Sequence, residues 1–447
     1  MNRRRFLKYA AAGATVAGST LAGYEFDRWQ TSLSPPSIST RPVTESVTGP
    51  TVTREVTTTQ TVRELVEPPR PTPVEEDVQV AAYYLTGWGT FPTRSSDWSL
   101  GAPYHALLGN YKSNDPIIAD WHIMWARSHG IGAFFVPYSD ARLAQRRTGW
   151  EYNLETGLMR AGFFNQIKFA VWFSVEPYWP GNPWGNNPNE IEELIKTTIT
   201  YFASNFFHKQ NYLKISDRPV LILGKYQYSA DNLGLARTRN IAALSRAISE
   251  DAGFSPYLVG DLMQSWHDDP DIDQLVEDVD GVTAYNILDP GNLRWRKDNR
   301  GRPIVTGTYE EFVREYLSEI RFWSNYARDR KKAFIPPVCP GFTNRILFDK
   351  GIDNWLAEFT GSSAELFRKV CLGCKPYVDS SLNTVVVEAW NEFQEGSVIE
   401  PTTEQGFSYL QALRETFAKM PKEGWSPEIV PSQIYRHLRA HGRGRLD

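Results

Sequence analysis

From Val78 onward the chain alternates short, almost wholly apolar runs with longer stretches in which apolar residues recur every three or four positions. Short runs rich in β-branched and aromatic residues and bounded by turn formers read as buried strands. Eight are found, at 78–85 (VQVAAYYL), 131–138 (IGAFFVPY), 167–175 (IKFAVWFSV), 219–224 (PVLILG), 256–262 (PYLVGDL), 281–287 (GVTAYNI), 332–339 (KAFIPPVC) and 384–390 (TVVVEAW). The clearest helix is SNDPIIADWHIMWARSHG at 113–130. Asp115 is placed to cap it, Pro116 suits its first position, Ile118, Trp121 and Trp125 share a face, and Gly130 stops it. Further helices are predicted near 188–208, 236–252, 309–330, 353–370 and 404–419. Apolar strands alternating with helices predict an α/β fold, a (β/α)8 TIM barrel whose parallel strands are buried on both faces. Pro336 and Pro337, which lack a ladder N–H, make the seventh strand the weakest.

The first 75 residues have neither period. Residues 1–30 begin MNRRRFLKYAAAGATVAGSTLAG, a basic region with adjacent arginines followed by a short, weakly apolar stretch, the pattern of a twin-arginine signal. That stretch, about 15 residues, is shorter than the roughly 20 a membrane-spanning helix needs. With no clear cleavage site, removal and retention as an anchor both stay open, and a retained signal would be the protein's membrane contact. Residues 31–75 are rich in Ser, Thr, Pro and Val, a composition too poor in apolar surface to repay ordering, and read as a disordered Thr/Pro-rich linker or stalk. Residues 76–447 are then the single functional domain.

In a barrel of this kind chemistry gathers where strands run into the loops that follow them. Those ends carry Tyr84 and Trp88, with Trp98 beyond; Tyr138 and Asp140; Glu176, Tyr178, Trp179 and Trp184; Lys225 and Tyr226; Asp261; Tyr285 and Asn286; Asn344 and Arg345; and Trp390, Asn391, Glu392 and Glu395. Glu392 and Glu395 stand out. On an ideal strand, residues three apart face opposite sides, so the two share a pocket only if the chain leaves strand geometry after Trp390, which Asn391, Gln394 and Gly396 favour. Two carboxyls in a partly dry pocket repel, which keeps one protonated as an acid while the other serves as a base.

Composition narrows the chemistry. The 48 basic and 52 acidic residues of 447 nearly balance, which argues against a polyanion such as nucleic acid as partner. Fifteen Trp and 21 Tyr offer flat faces of the kind sugars stack on, though core packing accounts for them equally well. Three cysteines are too few for a disulfide framework, and the Cys371–Cys374 pair has no further ligands nearby for zinc, so it reads as a local disulfide or two buried thiols. Asp269, Asp271 and Asp273 imitate a calcium loop, but Gln274 stands where that loop needs Gly and Asp280 where it needs Glu. His437 and His441 lie in a basic tail, RHLRAHGRGR, that reads as a solvated helix end rather than a metal site. No cofactor or metal is expected.

The order of VAAYYLTGW, KFAVWFSVEPY, VDGVTAYNI, PPVCPGF and EAWNEFQEGSVIEP resembles glycoside hydrolase family 99 and its family 99-like relatives from polysaccharide clusters, over about residues 78–418. Its most specific elements are the EPY of Glu176, Pro177 and Tyr178 and the final W-N-E-x-x-E-G-x-x-I-E-P. The resemblance implies a barrel that hydrolyses α-mannoside-type chains with retention of configuration through the substrate's own 2-hydroxyl. Carried over, Glu392 is the base and Glu395 the general acid/base, Tyr285 falls on the family's active-site tyrosine, and Glu176 on the carboxylate of its EPY. Phe393 and Gln394 replace the usual Trp and His between the glutamates, and LTGW replaces a more aromatic first loop, so mannose specificity does not carry over. The expectation is an exported, extracellular or cell-surface glycoside hydrolase whose partners are a glycan and the twin-arginine (Tat) export machinery. Tyr84, Trp88, Tyr138, Glu176, Tyr178, Tyr226, Tyr285, Asn286, Trp390 and Asn391 are expected to line its substrate site. The alternative is a non-catalytic glycan-binding or polysaccharide-assembly protein on the same barrel.

Overall fold

The computed structural model describes residues 61–90, 96–175, 188–262, 269, 271–419 and 435–439. The signal region, most of the linker, and Glu176, Tyr178, Trp179 and Trp184 lie outside the described residues.

The eight apolar runs form one parallel sheet: β1 Gln79–Tyr83, β2 Ile131–Tyr138, β3 Lys168–Phe173, β4 Arg218–Leu223, β5 Tyr257–Asp261, β6 Gly281–Thr283, β7 in two halves, Ala333–Phe334 and Pro337–Val338, and β8 Thr384–Val387. Each pairs with the next, and β8 returns to β1 through Thr384↔Gln79 to Val387↔Ala82. The prolines act in β7 as expected. Pro336 interrupts it, yet its first half pairs with β6 and its second with β8, so the broken strand still closes the ring. The fold is a (β/α)8 barrel.

Helices cover the outside. In Pro116–Ser128 Asp115 accepts the Ile117 N–H at 2.9 Å, and Trp121 and Trp125 are buried. Pro188–Asn205, Leu235–Asp251 and Ser408–Phe417 follow the predicted positions. Tyr309–Asp329 opens on a capping box, with the Thr308 hydroxyl and Glu311 carboxylate each meeting the other's backbone N–H.

The helix predicted over 353–370 is two elements. Leu356–Thr360 is a strand lying parallel to Pro303–Thr308 in a small outer sheet, and the helix starts at Ala364 after the cap Ser363. The apolar spacing of WLAEF fits either period over so short a run, and pairing with Pro303–Thr308 decides it. The basic tail also differs from expectation: Tyr435–Arg439 is a strand antiparallel to Thr61–Leu65, inside the span that composition assigns to a linker. Cys339, Cys371 and Cys374 are buried free thiols. Among the described residues no helix is long and apolar enough to cross a membrane.

Candidate active site

β8 leads straight into the site. After Val387 the chain turns into a two-residue ladder, Asn391–Glu392 against Ser397–Val398, closed by a tight turn in which Gly396 adopts φ 61°. A side chain at Gly396 would be strained and would press on Pro103 and Thr343 at 3.1 Å. This turn takes Glu392 and Glu395 out of strand geometry. The residues between them point backward. Phe393 packs edge-on to Trp88 and against Trp98, and the Gln394 amide donates to the Asp97 carbonyl at 2.8 Å. The two carboxyls are left at the mouth of the barrel, where both act on one phenol, that of Tyr285.

Tyr285 follows β6 and belongs to an aromatic floor inside the ring. Its ring meets Tyr83 at 4.8 Å and Trp172 at 5.6 Å. Gly224 makes room for the indole, since a Cβ there would lie 2.5 Å from it. Burial, and then the charges of Glu392 and Glu395, hold the Tyr285 phenol well above its ordinary range, so it stays a hydrogen-bond donor. Beneath it the fully buried Asp261 accepts the backbone N–H groups of Tyr285 and Lys225, each at 2.9 Å. Burial pushes the Asp261 carboxyl up to about 6 against the pull of those two donors. Lys225 adopts a left-handed conformation, φ 50°, and its ammonium lies 6.0 Å from the Trp172 ring.

The predicted site residues divide into groups. Glu392, Glu395, Tyr285 and Asn286 come together at the mouth, with the Asn286 N–H turned to Glu388. Trp88 and Asn391 stand behind the hairpin and position it. The Trp88 indole donates to the Asn391 carbonyl at 3.0 Å, and the Asn391 side chain accepts from Leu85 N–H (2.8 Å) while donating to Leu85 O (3.0 Å) and the Tyr111 hydroxyl (3.1 Å).

Tyr84, Tyr138, Tyr226 and Trp390 are not at the mouth, contrary to expectation. Adjacent strand residues face opposite sides, so with Tyr83 inside the ring Tyr84 points out, stacked on Phe134 with its hydroxyl 2.9 Å from His122 Nδ1. Trp390 packs on the same His122 and Phe134. Tyr138 packs on Phe202 of an outer helix, and the Tyr226 hydroxyl donates to Asp278 at 3.3 Å. Glu400, the third glutamate of the motif, is also outside the ring. It accepts from the Tyr111 hydroxyl at 2.7 Å and lies 3.3 Å from His122 Nε2, wholly buried. Of the aspartates of the imitation calcium loop, Asp273 pairs with Arg330 at 2.6 Å and Asp269 accepts the Asp271 N–H at 3.0 Å.

Four interior residues escaped the sequence reading of the site: Tyr83, Trp172, Glu388 and, as more than a strand end, Asp261. Glu388 left a signal, being the one charge in its own run, TVVVEAW.

Comparison with known proteins places the chain. No curated protein matches it. A structure described as a glycoside hydrolase-like protein superposes with a TM-score of 0.56 at 20% identity, over 80% of this chain and 98% of that one. The GH99 endo-alpha-mannosidase of Bacteroides thetaiotaomicron, in complex with bis-tris-propane, superposes with a TM-score of 0.52 at 17% identity, over 76% and 96%. At these identities the likeness is one of fold. The family model described as Glycosyltransferase WbsX matches residues 188–413, from the helix after β3 through the hairpin that carries both glutamates. That is just over half of the chain, and the protein belongs to this WbsX family, the family 99-like group.

Proposed function

We propose that the protein is an exported retaining glycoside hydrolase acting on α-mannoside-type or related polysaccharide chains outside the cytoplasm. One observation carries the reading: two buried carboxyls, Glu392 and Glu395, set by one hairpin against the Tyr285 phenol at the mouth of a (β/α)8 barrel. Glu392 takes the proton of the sugar 2-hydroxyl while that oxygen bonds to the anomeric carbon. As the bond to the leaving oxygen breaks, Glu395 gives that oxygen its proton. Water then adds to the anomeric carbon as the bond between that carbon and the 2-oxygen breaks; Glu395 accepts the water proton and the 2-oxygen recovers a proton from Glu392, so two inversions retain the configuration. Tyr285, kept protonated, donates to oxygen that gains charge. The twin-arginine pattern supports export, and the fold shared with a GH99 endo-alpha-mannosidase supports the substrate class.

A second reading follows from the family's description as a glycosyltransferase. The same carboxyl pair serves transfer if a sugar hydroxyl replaces water in the second half of the reaction. Incubating the full chain with α-mannans and other exopolysaccharides separates the two: new reducing ends mark hydrolysis, whereas longer products at a constant number of ends mark transfer. Neither product, with glycan binding intact, leaves only the binding function and overturns the proposal. Tyr285→Phe is expected to lower turnover by about 10²-fold, the usual effect of losing one well-placed donor. Full activity in that variant would remove Tyr285 from the chemistry.

A further inference from the structure

Glu388 is used by nothing described so far. It is fully buried, and it lies inside the ring, because Asp261 on β5, across the barrel from β8, acts on it through the interior. Neither carboxyl oxygen has a hydrogen bond of good geometry among the described residues, but two donors lie against them, the Asn286 backbone N–H and the Cys339 thiol. Asn286 is held at φ 67°, a left-handed conformation that a non-glycine residue seldom adopts without support. Its neighbour supplies half of that support: the Tyr285 N–H is bound by Asp261 at 2.9 Å. Two successive backbone N–H groups thus face two buried acids, one from β5 and one from the end of β8, and the residue they fix carries the phenol on which the charges of Glu392 and Glu395 act.

We propose that Glu388 is a positioning residue of the active site which, with Asp261, clamps the Tyr285–Asn286 backbone and so holds the Tyr285 phenol in place before the glutamate pair. Burial, and then the neighbouring carboxyls, hold the Glu388 carboxyl well above the ordinary carboxylate range, which favours its neutral form. Titratable groups face Glu388 from every side: Asp261, and Glu395 beyond β8, are carboxyls; Tyr83, Tyr285 and Cys339 come from other strands of the ring, and Tyr309 and Tyr316 from the covering helix. A second negative charge among these groups would be buried beside like charges. As a neutral acid Glu388 offers an acceptor oxygen to the Asn286 N–H and retains one hydroxyl donor. Glutamine offers the same pair of functions in the same shape.

The catalytic meaning of the clamp rests on the proposed function, but its test does not. Infrared difference spectra of the full chain at pH 7.5, wild type minus Glu388→Gln, are expected to show loss of a protonated carboxyl C=O stretch. Loss of carboxylate bands instead would show Glu388 ionised and overturn the proposal. The Tyr285 resonance in protein labelled at the tyrosine ζ carbon, assigned with Tyr285→Phe, is expected to stay in place in Glu388→Gln. It should move in Glu388→Asp, which withdraws the acid by one methylene from Asn286. If Glu388→Asp lowers the melting temperature without moving that resonance, Glu388 only packs the barrel and the positioning role is lost. A clamp established in this way together with silence on every glycan would count against the hydrolase alone.

Discussion

Glu395→Gln is expected to abolish hydrolysis of natural glycans, lowering turnover by about 10²- to 10⁴-fold, while leaving the melting temperature close to that of the wild type. The variant keeps the shape of the side chain and removes only its ability to give and take a proton. The hairpin survives, because its anchor at this position is the Glu395 backbone carbonyl, which accepts the Thr343 N–H at 2.7 Å whatever the side chain. Glu392→Gln should be equally inactive for a different reason, and the leaving group tells the two apart. An aryl glycoside whose phenol leaves without protonation restores the first step of Glu395→Gln, seen as a burst of phenol. It gives nothing to Glu392→Gln, which cannot activate the 2-hydroxyl. A Glu395→Gln protein that still cleaves its glycan at the wild-type rate would sink the assignment.

The second large effect is on stability. Asn391→Ala is expected to lower the unfolding free energy by about 3–5 kcal/mol, read as a fall in the urea midpoint at unchanged slope. Asn391 is fully buried and its amide answers both backbone groups of Leu85 as well as the Tyr111 hydroxyl. Truncation leaves both Leu85 groups without a partner in a place water does not reach, and takes one donor from the Tyr111 hydroxyl, which keeps Glu400; a buried orphan costs more than the mean net worth of a hydrogen bond. Against a total stability of about 5–15 kcal/mol this is a large share. A loss under about 1 kcal/mol would mean that the Trp88–Trp98–Phe393 cluster holds the hairpin without help from the amide.

The barrel was legible because parallel strands covered on both faces are written as continuous apolar runs, and all eight predicted runs overlap observed strands. The site was legible in part, for a reason set by the pleat. An apolar run shows where a strand is but not which of two neighbours looks inward, so Tyr84 was chosen where Tyr83 lies inside. Trp390, two positions beyond Glu388, packs on Phe134 and His122 because the chain has left the strand after Val387. Glu392 and Glu395 escaped that ambiguity because a turn, marked by Gly396, takes them off the strand. The strand Leu356–Thr360 was hidden because its partner, Pro303–Thr308, is remote in sequence. Asp261 was seen as a strand end but not as a clamp, since its two bonds are to backbone groups that no side-chain pattern announces.

The closure of the ring has a consequence for the order of events during synthesis. β1 is made early and waits for β8, its neighbour in the ladder, until almost the whole domain has left the ribosome, because Gln79 pairs with Thr384. So long a loop is among the last to close, and the edge of β1 stays open meanwhile. The strand that seals this edge is the one whose end bears Glu388, Glu392 and Glu395. A nascent or truncated chain that lacks β8 therefore lacks all three of these glutamates: the carboxyl cluster arrives with the strand that removes the sheet's last free edge.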